Sequence, residues 1–244
     1  MARFDNAGAW GRPAGAYGAA STAEYDQGLR KHLLSVYNYM ASGLVLTGIT
    51  ALVVANSPAM MQALFGTGLR YVVMLAPLAF VMVMSFGLNR MSAFAVQATF
   101  WAFAVAMGLS LSTIFIVYTG SSIASTFFIT AATFGAMSLW GYTTKRNLSG
   151  FGNFLMMGLI GIIIAGLVNL FIHSSALQMV VSVLGVLIFT GLTAYDTQRI
   201  KENYSASWGA ESLSKLAVMG ALTLYLDFIN IFLMLLQLFG DRER

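Results

Sequence analysis

The feature that most constrains this chain is a succession of apolar stretches, each close to the length that crosses a bilayer. A spanning helix needs about 20 apolar residues, because each adds about 1.5 Å across a hydrocarbon core of about 30 Å. Seven segments meet or approach that length: Leu33–Ala55, Arg70–Leu88, Ala93–Tyr118, Ile123–Tyr142, Phe151–Ile172, Leu177–Ile200 and Leu216–Phe239. Ser57-Pro58, Gly66–Gly68, Gly120 and Gly150–Gly152 punctuate the boundaries. The weakest break is Thr119–Ser122, but the two segments beside it are together far too long for one span. Alternating apolar and polar barrel strands are absent, which leaves helices as the way to satisfy the backbone in lipid. The expected fold is all-α, a polytopic membrane bundle of seven transmembrane helices.

Composition agrees. Of 244 residues, 58% are hydrophobic and 9% charged, whereas a soluble domain carries about a quarter charged residues. So few charges cannot coat a water-facing surface, and the lipid bilayer is the expected solvent. Cys is absent, which excludes disulfides, thiol catalysis and cysteine-ligated metals. The two histidines, His32 and His173, leave little for a zinc site, and no tightly bound cofactor is expected. The net charge of +4 sits on bases placed singly between apolar runs. Nucleic-acid binding needs a clustered basic face, so no such partner is expected. Residues 1–28 are rich in Gly, Ala, Ser and Tyr, without an apolar period or the core of a signal peptide. They are expected to form a disordered tail ahead of a transmembrane domain, 29–244.

Positive charge sets the expected orientation. Arg30 and Lys31 precede the first span, Arg90 follows the second, and Lys145 and Arg146 follow the fourth. Arg199, Lys201 and Lys215 flank the loop after the sixth, and the intervening loops carry little beyond Arg70. The N-terminus is therefore expected in the cytoplasm and, with seven spans, the C-terminus outside. A re-entrant last segment is the alternative, with both ends inside. In the fifth span Gly158, Gly161, Ala165 and Gly166 put small residues on one face, read as helix packing.

Seven of the nine acidic residues lie in tails or loops. The others are Asp196, near the end of the sixth span, and Asp227, well inside the seventh. A charge at mid-bilayer costs about 3 kcal/mol on insertion scales, so such a residue marks function by default. Around Asp227, Gly220, Thr223, Asn230, Met234 and Gln237 recur at helical spacing and make a mostly polar stripe. Thr223, Asn230 and Gln237 are the candidates to line a pathway. Asp196, in the run AYDTQRIK, is open to two readings: a helix-end carboxylate paired with Arg199 at i+3, or one half of a pair with Asp227. Counted from the intervening loop, Asp227 lies deeper than Asp196 unless the sixth helix runs on toward Tyr204. Two carboxylates within reach of each other at low dielectric share a proton and titrate as a pair.

These residues carry a resemblance. GLTAYDTQRIK at Gly191–Lys201 and LYLDFINIFLMLLQLFG at Leu224–Gly240 resemble the signature of the Bax inhibitor-1 (transmembrane Bax-inhibitor-motif) family. GYTTKRNLSGFGNFLMMGLIGIIIAGLVN at Gly141–Asn169 is similar to its bacterial branch, as are VYNYMASGLVLTG at Val36–Gly48 and SLSTIFIVYTGSSIASTF at Ser110–Phe127. The resemblance covers all but about the first 28 residues. It implies a seven-helix fold with a central last helix, and a di-aspartyl pH sensor governing a slow calcium leak. The family's two aspartates fall on Asp196 and Asp227. A basic latch residue at the cytoplasmic end of the second helix falls, within SFGLNRMSA, on Arg90. Asn147 departs from the acid common in relatives.

The expected function is a pH-sensitive calcium leak in a bacterial inner membrane, with calcium and protons as the ions handled. Calcium prefers 6–8 oxygens, so Asp196 and Asp227 with Thr, Asn and water oxygens would hold it only transiently. No catalytic residue is expected. The sharpest enzymatic alternative, intramembrane aspartyl proteolysis, lacks a Gly-x-Gly-Asp element, and Pro13, Pro58 and Pro77 leave no Pro-Ala-Leu after the last span. The other alternative is a scaffold or regulator of a membrane-bound quality-control protease, with the N-terminal tail as a docking segment.

Overall fold

The computed structural model describes residues 15–243, with side chains from Glu24 onward. Among these residues nine helices form: α1 (Gly15–Ala55), α2 (Pro58–Phe65), α3 (Leu69–Gly87), α4 (Ala93–Leu111), α5 (Ile114–Val117), α6 (Gly120–Thr143), α7 (Ser149–Ile172), α8 (Ser175–Glu202) and α9 (Ala210–Phe239). Seven stretches are long and apolar enough to span a membrane, with α4 and α5 counting as one. The chain is an all-α polytopic membrane bundle. Hydroxyl caps start several of its helices: Ser57, Ser92, Thr119 and Ser174 accept from the backbone N–H of Met60, Ala95, Ser122 and Leu177. Each satisfies a donor that the first helical turn leaves unpaired.

Helix α9 is the axis of the bundle. In its most apolar stretch 67% of residues are buried, against 11% for α7. It packs on α1, α4, α6 and α8, and buries Val218, Leu224, Tyr225, Ile231 and Leu236 almost completely. Lipid tails are as apolar as leucine, so this packing rests on close van der Waals fit and interhelical hydrogen bonds. Two of the fixtures are polar. The Tyr225 hydroxyl donates to Thr47 Oγ1 at 2.7 Å, which in turn donates to the Ala104 carbonyl at 2.8 Å. Gly141 of α6 lies against the backbone of Ala194 in α8, where any side chain would collide with main-chain atoms. On the outside, Phe86, Phe94 and Phe171 are exposed, as lipid-facing residues are.

Interhelical contacts tie the basic segments to one end of the bundle. Tyr25 and His32 of α1 stack on Tyr204 at 5.4 and 5.5 Å. Gln97 of α4 donates to Ser214 of α9 at 3.0 Å, and Lys201 Nζ donates to the Tyr142 carbonyl at 2.8 Å. At the opposite end residues 241–243 are strapped to the α5–α6 turn. Thr119 N–H donates to the Asp241 carbonyl and Glu243 N–H to the Val117 carbonyl, both at 3.0 Å, in an antiparallel bridge of Tyr118 with Arg242. Asp241 N–H also donates to Ser122 Oγ at 2.8 Å.

The expected tail boundary falls at Gly28. Residues 1–14 lie outside the described residues, but α1 starts at Gly15 and runs unbroken into the first span. Its partner is remote in sequence: Leu29 and Leu33 bury against Tyr204, and the Tyr25 hydroxyl donates to the Tyr204 carbonyl at 3.5 Å. The small-residue face of α7 is used only in part. Gly158 meets the tip of Ile188, whereas Gly161 and Gly166 face open space.

Candidate functional site

The run AYDTQRIK closes α8, and its residues point to several different partners. The Tyr195 ring covers Gly152 of α7. Thr197 Oγ1 lies 3.0 Å from Ser138 Oγ of α6, which also bonds the Tyr37 hydroxyl of α1. Gln198 clamps the α6–α7 loop: Leu148 N–H donates to its Oε1 and its Nε2 donates to the Arg146 carbonyl, each at 2.8 Å. Sequence reasoning weighs only Asp196 and Arg199 in this run and misses Thr197 and Gln198. The available signal was polarity at Thr197 and Gln198 inside a span, where a polar side chain must find a partner in the protein.

Asp196 and Asp227 are buried, at 9% and 4% exposure, and their carboxyl groups lie side chain to side chain within hydrogen-bonding reach. The depth conflict is resolved at both helix ends: α8 runs on past Ile200 to Glu202, with its cap at Asn203, and the Asn203–Gly209 connection follows. Helix α8 stops at Glu202, while α9 begins far enough back to meet the start of α4 through Ser214 and Gln97. Asp227 Oδ2 has no hydrogen-bond partner among the described residues. A buried carboxylate oxygen without a donor is costly. One proton held between the two groups would remove a charge and supply the missing bond.

Asp196 lines a cavity of about 190 Å³ with His32, Arg199, Asn203 and Thr223. Arg199 is the base whose charge acts on Asp196. No ion pair closes between them, since the only salt bridge among the described residues joins Lys215 to Glu211 at 3.0 Å. Arg90 stands exposed in the turn after α3, with its N–H on the Gly87 carbonyl, and is not brought to the aspartates in this conformation.

The pathway candidates separate. Thr223 lines the cavity while its hydroxyl donates to the Met219 carbonyl at 3.1 Å. Asn230 turns its amide to the Leu226 carbonyl of its own helix at 2.8 Å. Gln237 lies ten residues beyond Asp227, about 15 Å along the axis. There its Oε1 accepts from Ser182 at 2.8 Å and from Gln178 at 3.0 Å. Between the two levels Phe189, Leu192, Ile231 and Leu235 pack into an apolar cluster. Two carboxylates also form too small a set for a resident metal, and no cluster of three ligating side chains occurs among the described residues.

Residues 29–244 match the family described as inhibitor of apoptosis-promoting Bax1. The chain belongs to this family. Its bacterial relatives include the inner membrane protein YbhL of Escherichia coli K12, 50% identical over 219 residues that cover 88% of this chain and 94% of YbhL. The uncharacterized protein RP147 of Rickettsia prowazekii is 47% identical over 219 residues, 90% of this chain and 93% of its own. An uncharacterized protein of Caulobacter vibrioides is 45% identical over 228 residues, 89% and 91% of the two chains. The family match therefore begins at Leu29, where α1 first buries a leucine against Tyr204, and it takes in both aspartates.

Proposed function

We infer that this protein is a pH-gated calcium leak in which a proton shared by Asp196 and Asp227 is the gate. The observation that carries the reading is Asp227 Oδ2, buried without a donor beside a second carboxyl group. With the proton in place the pair carries a single negative charge, and the apolar cluster beyond it has no reason to open. When the proton leaves, two negative charges at low dielectric repel each other and attract a divalent cation. Calcium is the cargo. The carboxylates, the Thr223 hydroxyl, the Asn230 carbonyl and water would offer oxygens enough to pass it on and too few to keep it. No covalent step is involved, and no catalytic residue is assigned. Calcium and protons are the partners besides lipid.

The location proposed is a bacterial inner membrane, following the name of the Escherichia coli relative, with the basic end in the cytoplasm. Calcium flux into proteoliposomes, read across pH, tests the reading with Asp196→Asn, Asp227→Asn and the double variant. Asn keeps the shape and stays neutral. A shared site predicts loss of the pH response in each single variant and a double variant no worse than either. Additive losses, or an unchanged midpoint in Asp196→Asn, would sink the pair and leave Asp227 as a lone acid.

A further inference from the structure

At the end of the bundle opposite Asp196, helices α7, α8 and α9 part around a cavity of about 620 Å³. Its lining has two zones. Leu170, Val181 and Met234 form an apolar wall, and the outer surface of α7 beside it is bare, with Phe171 86% exposed. Arg242 and His173 form the other zone, where the spans end. Between them is a neutral amide floor: Asn169 donates to Gln178 at 3.1 Å, and Gln178 donates to Gln237 at 3.0 Å. No acidic side chain among the described residues lines the cavity.

Arg242 is held in place without being consumed. The bridge to Tyr118 is made by backbone atoms of its neighbours, Asp241 and Glu243. In an extended segment successive side chains point to opposite sides. Arg242 accordingly lines the cavity while Asp241 and Glu243 do not, and its guanidinium forms no ion pair among the described residues. His173 is fixed as well, because its Nδ1 lies 3.2 Å from the Phe171 carbonyl. Its backbone is left-handed, with φ 55°, at the helix end where glycine is the usual residue.

A cavity at a span's end with a positive, acid-free rim and an apolar wall fits one class of molecule. We propose that it holds an anionic phospholipid, with the headgroup phosphate on Arg242 and His173 and an acyl chain along Leu170, Val181 and Met234. Arginine suits the phosphate because its planar fork makes paired charge-assisted hydrogen bonds. The site lies far from the acid pair and stands whether or not the protein conducts calcium.

The test uses the delipidated full chain in neutral detergent, titrated by native mass spectrometry with phosphatidylglycerol and with phosphatidylcholine of the same acyl chains. Phosphatidylglycerol is expected to bind about tenfold more tightly, and Arg242→Gln to remove that preference while leaving phosphatidylcholine unchanged. Arg242→Lys, which keeps the charge, should restore part of it. His173→Gly relieves the left-handed backbone, so weaker phosphatidylglycerol binding with an undiminished unfolding temperature separates a ligand contact from a structural one. Arg146→Gln, at the other end of the bundle, should change nothing. Equal affinity for the two lipids, or wild-type binding by Arg242→Gln, overturns the proposal. So does displacement of the lipid by an equal concentration of inorganic phosphate, which would mark a site for a free anion.

Discussion

The ring of Tyr195 lies directly over Gly152, so α7 seats against α8 one residue before Asp196. A methyl group at position 152 would fall 2.5 Å from the ring carbons, close to the root of the side chain, where the ring has least freedom to swing away.

Gly152→Ala is therefore expected to destabilise the bundle by about 1–3 kcal/mol, the usual cost of overpacking. Gly161→Ala, on the same helix and facing open space, should leave stability unchanged or higher. Thermal unfolding of the two variants in one detergent checks the pair. Equal midpoints would mean that the Tyr195 contact does not position α8.

Arg199 and Arg90 make opposite predictions. Removing a positive charge beside a carboxyl pair makes ionisation harder, so Arg199→Gln should move the midpoint of calcium flux to higher pH, by up to about one unit. Arg90→Ala should leave the midpoint in place if the exposed position seen here is its working position. If instead Arg90 swings to the aspartates as a latch, Arg90→Ala raises flux at acidic pH, and Arg199 has the smaller effect. Flux measured across pH for both variants decides between the two bases.

Gln198 satisfies one donor and one acceptor of the α6–α7 loop with a single amide. Gln198→Leu leaves the Leu148 N–H and the Arg146 carbonyl to find other partners, at about 1–3 kcal/mol for each group left buried and unpaired. Faster tryptic cleavage after Lys145 and Arg146 is the expected sign. Cleavage at the wild-type rate would mean that the loop is held by something else.

The distribution of bases predicts sidedness. A reporter fused after Gly240 should report the exterior, and one within Lys145–Gly150 the cytoplasm. Cytoplasmic signals from both would require a last helix that turns back, although α9 runs unbroken from Ala210 to Phe239.

The spans were legible in the sequence because length and apolarity alone demand them, and each expected segment has its helix. What sequence hid was whatever depends on a distant partner. Nothing around Tyr25, Leu29 and Leu33 announces that Tyr204 packs on them. Helix α2 is too short to register as a span, and Ser57-Pro58 reads only as a boundary. Asp227 was legible as an intramembrane acid, but its level relative to Asp196 depends on where a seven-residue connection lets α9 begin. The pairing of Tyr118 with Arg242 joins segments with no local signal in either.

The central position of α9 also dictates an order of assembly. The axis of the bundle leaves the ribosome after α1, α4, α6 and α8, so these must enter the membrane around a slot that is still vacant. Until α9 arrives, Asp196 faces that slot without its companion and Thr47 lacks the Tyr225 hydroxyl. A nascent chain truncated before Ala210 is accordingly an unfinished shell around an empty axis.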